Sequence, residues 1–293
     1  MPQAEVDAGV GGGETWVGKT EIVTDEIAVT PATAAAATLD DPESRFQRGM
    51  ALPPLWQWFY FLPRAPQSRL SSDGHPERGG FIPPIALPRR MFAGARMRFH
   101  RPLVIGTPAE RRGTIRDVSQ KDGRSGRLAF VTVGYEFYQD GALCTEEEQD
   151  IVYREAGTPA PALAQGPLPA LAERSWSRMV TPTPTLLFRF SALTFNAHRI
   201  HYDRPYATEV EGYPGLVVHG PLTAILLMEL VRRHAEKGVR RFEFRGQAPL
   251  FDLAPFRVAA TPVAATPAAE AHVLMEAHGP AGQTAMTATA ALA

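Results

Sequence analysis

Apolar and polar residues change their spacing several times along the chain, and one segment of the second half is apolar on nearly every side. Residues 220–237 carry apolar side chains at most positions, which predicts a largely buried helix. Gly220 and Pro221 would start it, since proline is favoured in the first helical turn. Basic residues fill the last turn, where they complement the helix dipole, and Gly238 is predicted to end the helix.

Alternating apolar and polar residues predict strands on both sides of this helix. In the first half they predict an antiparallel meander at residues 95–103, 111–118, 127–138 and 143–153. In the second half they predict strands at residues 179–190, 240–248, 256–263, 271–277 and 284–292, with a short helix at 202–212. A curved sheet around a long helix is a stable two-layer α+β arrangement, and the two halves look like copies of one unit.

Changes in composition predict the domain boundaries. Residues 1–13 are small and glycine-rich and are expected to form a flexible N-terminus. An N-terminal domain is predicted at 14–155, a linker rich in proline and alanine at 156–172, and a C-terminal domain at 173–293. The first half also contains a dense aromatic run around Trp56 and Trp58, which is interpreted as core.

Charge and cysteine content narrow the class of protein. Thirty basic residues nearly balance 31 acidic ones, and the formal net charge of −1 argues against a dedicated nucleic-acid surface. The single cysteine, Cys144, excludes an internal disulfide, and the acidic residues beside it disfavour a reactive thiolate. No apolar run of about 18 residues predicts a transmembrane helix, and no secretory signal is recognised. A cytoplasmic protein is therefore expected.

Three of the eight histidines lie within residues 196–219, next to the predicted start of the long helix. They are His198, His201 and His219, and Asn196 precedes them. Imidazole titrates near neutral pH and a helix N-terminus attracts negative charge, so this segment predicts acid–base chemistry. A metal site at His198 and His201 is not predicted, because no cysteine or carboxylate completes a plausible ligand set.

This segment resembles the catalytic motif of the MaoC-like hydratases. His201 matches the catalytic histidine of that family, and Asp203 matches a position that follows it. His219 and Gly220 match a histidine–glycine pair that precedes the central helix. Asn196 stands where the family has a catalytic aspartate. The resemblance therefore implies an active site built around His201.

The departures from the motif are similar to those of one branch, the type-2 hydroxyacyl-thioester dehydratases. Residues 53–62, 79–84 and 148–153 of the first half also look like that branch. The resemblance implies a double hot-dog fold, in which each unit wraps a curved sheet around a long helix or its remnant, with the first unit degraded. It also implies a hydro-lyase that acts on an acyl-CoA and needs no cofactor, since coenzyme A is part of the substrate.

Hydration of an α,β-unsaturated thioester requires a base for the water, a hydrogen-bond donor for the thioester oxygen and a proton for Cα. His201 is predicted to act as base and then as acid. Asn196 cannot take a proton, but its amide can orient the water or the substrate. The backbone N–H of Gly220 is the predicted donor to the thioester oxygen.

The resemblance implies a short, branched enoyl-CoA as substrate, with mesaconyl-C4-CoA or itaconyl-CoA, hydrated to citramalyl-CoA, as first choice. Arg199 and Arg204 are predicted to bind a free carboxylate of the acyl group. Arg89 and Arg90 are predicted to meet the phosphates of coenzyme A. His219 is predicted either to contact the substrate or only to shape the helix start.

Three other functions stay open at this point, because a fold alone does not assign an activity. They are a 3-hydroxyacyl-thioester dehydratase of fatty-acid metabolism, a hot-dog thioesterase and a non-catalytic subunit that binds acyl thioesters. Asp203 is interpreted as a helix cap rather than a catalyst. Neither a membrane nor a nucleic acid is expected as partner, and the chain could act as a monomeric pseudo-dimer or as a homodimer.

Overall fold

One antiparallel sheet dominates the computed structural model, which describes residues 14–123, 126–155, 164–266 and 270–293. The strands are β1 (Thr20–Glu26), β2 (Arg89–Phe99), β3 (Pro108–Gly123), β4 (Gly126–Gln139), β5 (Ala142–Arg154), β6 (Trp176–Val180), β7 (Val239–Gly246), β8 (Phe256–Val263), β9 (His272–His278) and β10 (Thr284–Leu292). The α-helices are α1 (Val29–Thr38), α2 (Pro184–Leu193) and α3 (Gly220–His234). Short helical turns lie at Glu14–Trp16, Trp56–Phe59, Gln67–Arg69, Arg199–His201 and Tyr206–Val210.

The strand order reveals an internal repeat. Across the sheet it is β1-β3-β4-β5-β2 and then β7-β10-β9-β8-β6, so each half has the same order when counted outward from the junction of β2 and β7. At that junction Gly94 lies opposite Arg245. A Cβ at Gly94 would lie only 2.5 Å from the carbonyl oxygen of Phe244, so the close approach of the two halves requires a glycine there.

Helix α3 supplies the central helix of the second half. Ten consecutive residues of α3, from Leu222 to Val231, are buried, and the helix packs against β8, β9 and β10. Burial on all sides is what its apolar sequence predicts. The helix ends at His234 rather than at residue 237, and its capping N–H, that of Ala235, donates to the carbonyl oxygen of Val231 (2.8 Å).

The aromatic run of the first half lies between α3 and the first-half sheet. The indole N–H of Trp56 donates to Glu229 of α3 (3.2 Å), and that of Trp58 donates to Glu147 of β5 (2.8 Å). Both carboxylates are buried, and burial raises the pKa of Glu147. Trp56 is fully buried, which confirms that the run belongs to the core. The described part of the first unit thus contains no long central helix of its own, and the chain has a double hot-dog fold with a degraded first unit.

Some predicted elements differ from the structure. The strand predicted at residues 179–190 is wrong, because β6 ends at Val180 and α2 begins at Pro184. Thr183 is the N-cap, and its hydroxyl accepts the N–H of Leu186 (3.2 Å). A Thr-Pro pair is a typical helix start, which the alternation of apolar residues obscured. Strand β1 and helix α1 were not predicted at all.

The segment between the two halves has little regular structure where it is described. Residues 164–172 contain no helix or strand, whereas residues 156–163 of the predicted linker and residues 1–13 of the predicted flexible terminus lie outside the described residues. Cys144 is buried in β5. Within the described ranges, no helix combines the length and the apolar character that a membrane crossing requires.

Candidate active site

A cavity of about 940 Å³ lies where the two halves meet. Its walls come from both: His75, Arg90 and Arg154 belong to the first half, and Asn196, His201 and Gly220 to the second. Phe188 and Phe195 also line it while remaining 62% and 56% exposed, so they mark its opening to solvent. The dimensions suit the acyl end of a coenzyme A thioester, since pockets for small ligands span roughly 300–1,000 Å³.

His201 is held in a single orientation by its backbone surroundings. It ends the short turn Arg199–His201, and its ring Nδ1–H donates to the carbonyl oxygen of Val217 (2.7 Å). This bond fixes the tautomer, so Nε2 carries the free electron pair. Burial lowers the pKa of His201 to about 4. The side chain is therefore a neutral base at neutral pH.

His219 forms the platform behind His201. Its ring stacks on that of His201 at 3.7 Å between centroids, and the tilted ring of Phe190 lies 4.9 Å away. Nε2 of His219 shares a hydrogen bond with the hydroxyl of Ser191 (2.8 Å), and burial lowers its pKa well below the usual value. Its Nδ1 is buried and has no partner in the described part of the chain. His219 lines the cavity and is also the N-cap residue of α3, where its side chain makes no capping hydrogen bond.

Gly220 places a backbone donor at the cavity wall. It is the first residue of α3, so its N–H has no acceptor within the helix. The following residue, Pro221, has no N–H of its own. Helix N-termini stabilise negative charge, and the nearest atom to a Cβ at Gly220 would be the carbonyl oxygen of Phe92 at 3.7 Å. A thioester oxygen can therefore approach this N–H.

Asn196 follows α2 and forms a turn with the catalytic segment. Its Oδ1 accepts the backbone N–H of His198 (3.0 Å), and its own N–H donates to the carbonyl oxygen of Ser191 (2.8 Å). The preceding residue, Phe195, has a positive φ of 48°. The side-chain amide of Asn196 lines the cavity and has hydrogens left to donate, as the sequence predicts for a group that orients rather than transfers protons.

Arg199 and Arg204 do not line the cavity, which corrects their predicted role as carboxylate ligands. Arg199 pairs with Asp203 (2.8 Å) and lies over the ring of Tyr206. Arg204 pairs with the buried carboxylate of Asp252. Both guanidinium groups are thus committed to holding the segment in shape. Asp203 also accepts the N–H of Tyr206 (3.2 Å), the first residue of the turn Tyr206–Val210, whose N-cap is Pro205.

Among the described residues, the guanidinium groups of two of the three arginines that line the cavity have no hydrogen-bond or ion-pair partner. Arg89 is paired with Glu211 (3.1 Å) and packs on Tyr213. The guanidinium of Arg90 makes no hydrogen bond or ion pair to any described residue, and Nε of Arg154 is buried without an acceptor there. Burial is the main cause that lowers the pKa of His75, and the charge of Arg90 adds to it. Arg90 is therefore available to an anionic group of a ligand.

The sequence interpretation missed the first-half residues Asp73 and His75. The ring Nδ1–H of His75 donates to Asp73 (3.0 Å), and its ring lies 4.2 Å from that of His198. A carboxylate and an imidazole on either side of Gly74 were the available signal, but nothing local places them beside His201. Asp73, His75 and His198 offer ligand atoms within 4.8 Å of one another. This group contains a carboxylate from the other half of the chain beside His198, but it does not include His201.

Comparison with known proteins agrees with this geometry. The family model "Hydroxyacyl-thioester dehydratase type 2" matches residues 55–252. A solved MaoC-like dehydratase superposes over 95% of this chain and 98% of its own with a TM-score of 0.70, although only 15% of residues are identical. The fold and the site thus define a chain of the MaoC-like hot-dog class. The chain belongs to the type-2 hydroxyacyl-thioester dehydratase family.

Two curated relatives cover most of the chain. The mesaconyl-C(4)-CoA hydratase of Chloroflexus aurantiacus is 63% identical over 277 residues, which is 94% of this chain and 96% of that protein. The mitochondrial hydroxyacyl-thioester dehydratase type 2 of Schizosaccharomyces pombe is 31% identical over 71% of this chain and 77% of its own length. The similarity to the first of these relatives extends over both halves of the chain.

Proposed function

We propose that this chain is an acyl-CoA hydratase that adds water reversibly across the α,β double bond of mesaconyl-C4-CoA to give citramalyl-CoA. The observation that carries the proposal is that one cavity contains a neutral His201, with Nε2 free, and the N–H of Gly220, which has no acceptor among the described residues. The similarity to a mesaconyl-C(4)-CoA hydratase supports the choice of substrate.

The site residues divide the chemistry between them. Nε2 of His201 takes a proton from a water molecule as its oxygen bonds to Cβ. The electron pair of the double bond moves toward the thioester, and the developing negative charge on its oxygen is stabilised by the N–H of Gly220, a contribution of about 3–4 kcal/mol for donors of this kind. His201 then returns the proton to Cα. The tautomer fixed by Val217 suits both steps, because Nε2 is the atom that exchanges the proton.

Arg90 is proposed to bind the free carboxylate of the acyl group. In mesaconyl-C4-CoA this carboxylate is attached to Cβ, the carbon that the water attacks, so its partner must lie close to the histidines. Arg90 lines the same cavity as His75, His198 and His201, which supports this assignment. Arg154 and the exposed Phe188 and Phe195 are left for the coenzyme A portion.

The experiment compares mesaconyl-C4-CoA with crotonyl-CoA, which has no carboxylate on Cβ. Loss of the conjugated thioester absorbance measures hydration, and mass detection identifies the product. We expect Arg90→Met to raise KM for mesaconyl-C4-CoA by about 10- to 100-fold, the worth of a charged hydrogen bond, and to leave crotonyl-CoA unaffected. Arg98→Met is the matched control, because Arg98 is exposed on the same strand and lies outside the cavity.

Several outcomes would overturn the substrate assignment. If itaconyl-CoA is hydrated faster than mesaconyl-C4-CoA, the preferred substrate is a different short, branched enoyl-CoA. Faster dehydration of long 3-hydroxyacyl thioesters would favour the fatty-acid dehydratase. Release of free coenzyme A thiol would identify a thioesterase, and binding without turnover would identify a non-catalytic subunit.

Three further properties are proposed with the function. The enzyme needs no cofactor, because acid–base groups of the chain suffice for the steps above. The repeated half-sheets act as a pseudo-dimer within one chain, which light scattering would test against a homodimer of two chains. The cytoplasm is the proposed compartment, on the basis of the single cysteine.

A further inference from the structure

The Asp73–His75 turn presents a second oriented imidazole to the cavity. One carboxylate oxygen of Asp73 accepts the backbone N–H of His75 (2.9 Å), and the other accepts its ring Nδ1–H (3.0 Å). These two bonds fix the tautomer of His75, so its Nε2 carries the free electron pair. Nε2 has no partner among the described residues, and the side chain lines the cavity.

His75 therefore repeats the arrangement of His201 from the opposite half of the molecule. In both residues Nδ1–H is held by an oxygen of the protein, which is Val217 for His201 and Asp73 for His75. The ring of His198 has its centroid 4.2 Å from that of His75 and 5.4 Å from that of His201. Two neutral imidazoles thus line the same cavity close to a common neighbour.

A nucleophilic water needs two acceptors to be held in one orientation, because it has two O–H groups. A single acceptor leaves it free to rotate about that hydrogen bond, and misorientation is costly for the rate. Asn196 also lines the cavity, but its Oδ1 already accepts the N–H of His198, which leaves one lone pair of that oxygen for a further donor. His75 is the remaining acceptor whose tautomer the structure fixes.

We infer that His75 is a further catalytic residue, which holds the second O–H of the attacking water while His201 takes the first proton. The inference rests on the proposed hydratase function. One O–H bond of the water breaks and its proton passes to Nε2 of His201. The O–H bond that faces His75 stays intact and becomes the hydroxyl group of the product. The proton on His201 then goes to Cα, so the two histidines end in their starting states.

The turn is fixed to the catalytic segment across the boundary between the halves. The backbone N–H of Arg199 donates to the carbonyl oxygen of Asp73 (2.9 Å), and its guanidinium donates to that of Ser72 (3.0 Å). Gly74 packs so closely on Ala197 that a Cβ would lie 1.8 Å from its carbonyl oxygen. Asp73 is accordingly a positioning residue, since it acts on the water only through His75.

The kinetic test uses His75→Ala and Asp73→Asn with mesaconyl-C4-CoA. We expect His75→Ala to lower kcat by about 10²-fold, within the usual contribution of a positioned acid–base group, while KM changes little. Asp73→Asn keeps the shape of the side chain but can donate to Nδ1, which moves the ring proton to Nε2 and should lower kcat as well. His278→Ala is the matched control, because it removes a buried histidine outside the cavity and should leave kcat unchanged.

A spectroscopic readout keeps the test independent of activity. The ¹⁵N spectrum of labelled imidazoles should show His75 protonated at Nδ1 in the wild type and altered in Asp73→Asn. A proton on Nε2 in the wild type would overturn the inference. Three kinetic results would also overturn the inference. They are a wild-type kcat in His75→Ala, a change in KM alone in that variant, and a loss of kcat in His198→Ala that His75→Ala does not share.

Two other results are distinguishable from these. If the wild type adds no water to any enoyl-CoA, the proposed function itself fails, whatever the spectrum of His75 shows. If dialysis against a chelator abolishes wild-type activity and Zn²⁺ restores it, Asp73, His75 and His198 hold a metal ion, and the inferred role of His75 is overturned.

Discussion

Replacing Gly74 with alanine should push apart the two halves of the cavity wall at the point where they come closest. The new Cβ would lie 1.8 Å from the carbonyl oxygen of Ala197. Carbon and carbonyl oxygen tolerate a separation of roughly 3.3 Å, so the turn or the segment facing it must move by about 1.5 Å. His75 would move with the turn, because it is the next residue.

The same substitution at a second glycine, Gly79, distinguishes the effect of this displacement from the effect of backbone strain. Gly79 has the same φ of 92° as Gly74, but the nearest atom to its added Cβ would be 3.8 Å away, on Pro84. Alanine at such a positive φ costs about 1–3 kcal/mol. Gly74→Ala and Gly79→Ala should therefore both lose stability by that amount, whereas only Gly74→Ala should also introduce the steric clash with Ala197.

The assay measures kcat with mesaconyl-C4-CoA and the free energy of unfolding in urea for both variants. A misplacement near 1 Å can cost about 10²-fold in rate, so we expect Gly74→Ala to lower kcat by about that factor. Gly79→Ala should keep kcat close to that of the wild type. Equal kcat in the two variants would refute the idea that contact between the halves positions the site.

Three more predictions follow from buried groups. The pKa of His201 is about 4 in the folded chain and ordinarily 6.5, so the unfolded state binds its proton first as the pH falls. This residue should therefore reduce the free energy of unfolding by up to about 3 kcal/mol between pH 6.5 and 4. Urea unfolding of His201→Gln should show a correspondingly weaker pH dependence, and an unchanged pH dependence would contradict the prediction. Arg204→Met should destabilise the chain by about 1–2 kcal/mol, since it leaves the buried Asp252 without its ion partner. The KM of this variant should equal that of the wild type, and a raised KM would indicate that Arg204 binds the substrate after all. Glu147→Ala should cost about 2–4 kcal/mol and change the fluorescence of Trp58, because it removes the acceptor of that indole; wild-type stability in urea would show that this buried carboxylate is dispensable.

Local patterns of the sequence identify the elements that are regular over a full period. Strands β8 and β10 have the predicted bounds, at Phe256–Val263 and Thr284–Leu292. The start of α3 is also as predicted, because proline and an apolar run are local signals. The motif around His201 was recognisable for the same reason, since its residues lie within one short segment.

Features that depend on contacts between distant residues could not be predicted in this way. Arg204 was assigned to the substrate because its partner, Asp252, is 48 residues away in the sequence. The place of His75 beside His198 depends on how the first half packs on the second, and no periodicity encodes that contact. Helix α2 was hidden because its apolar residues, read without the cap at Thr183, also satisfy a strand.

The central claim is that His201 activates water for addition to an enoyl-CoA. The most direct test incubates mesaconyl-C4-CoA with the wild type and with His201→Ala, and follows both the conjugated thioester absorbance and the mass of the product. We expect the wild type to form a product heavier by one water, and the variant to do so at least about 10²-fold more slowly. Water addition at the wild-type rate by His201→Ala, or release of free coenzyme A without water addition, would contradict the account.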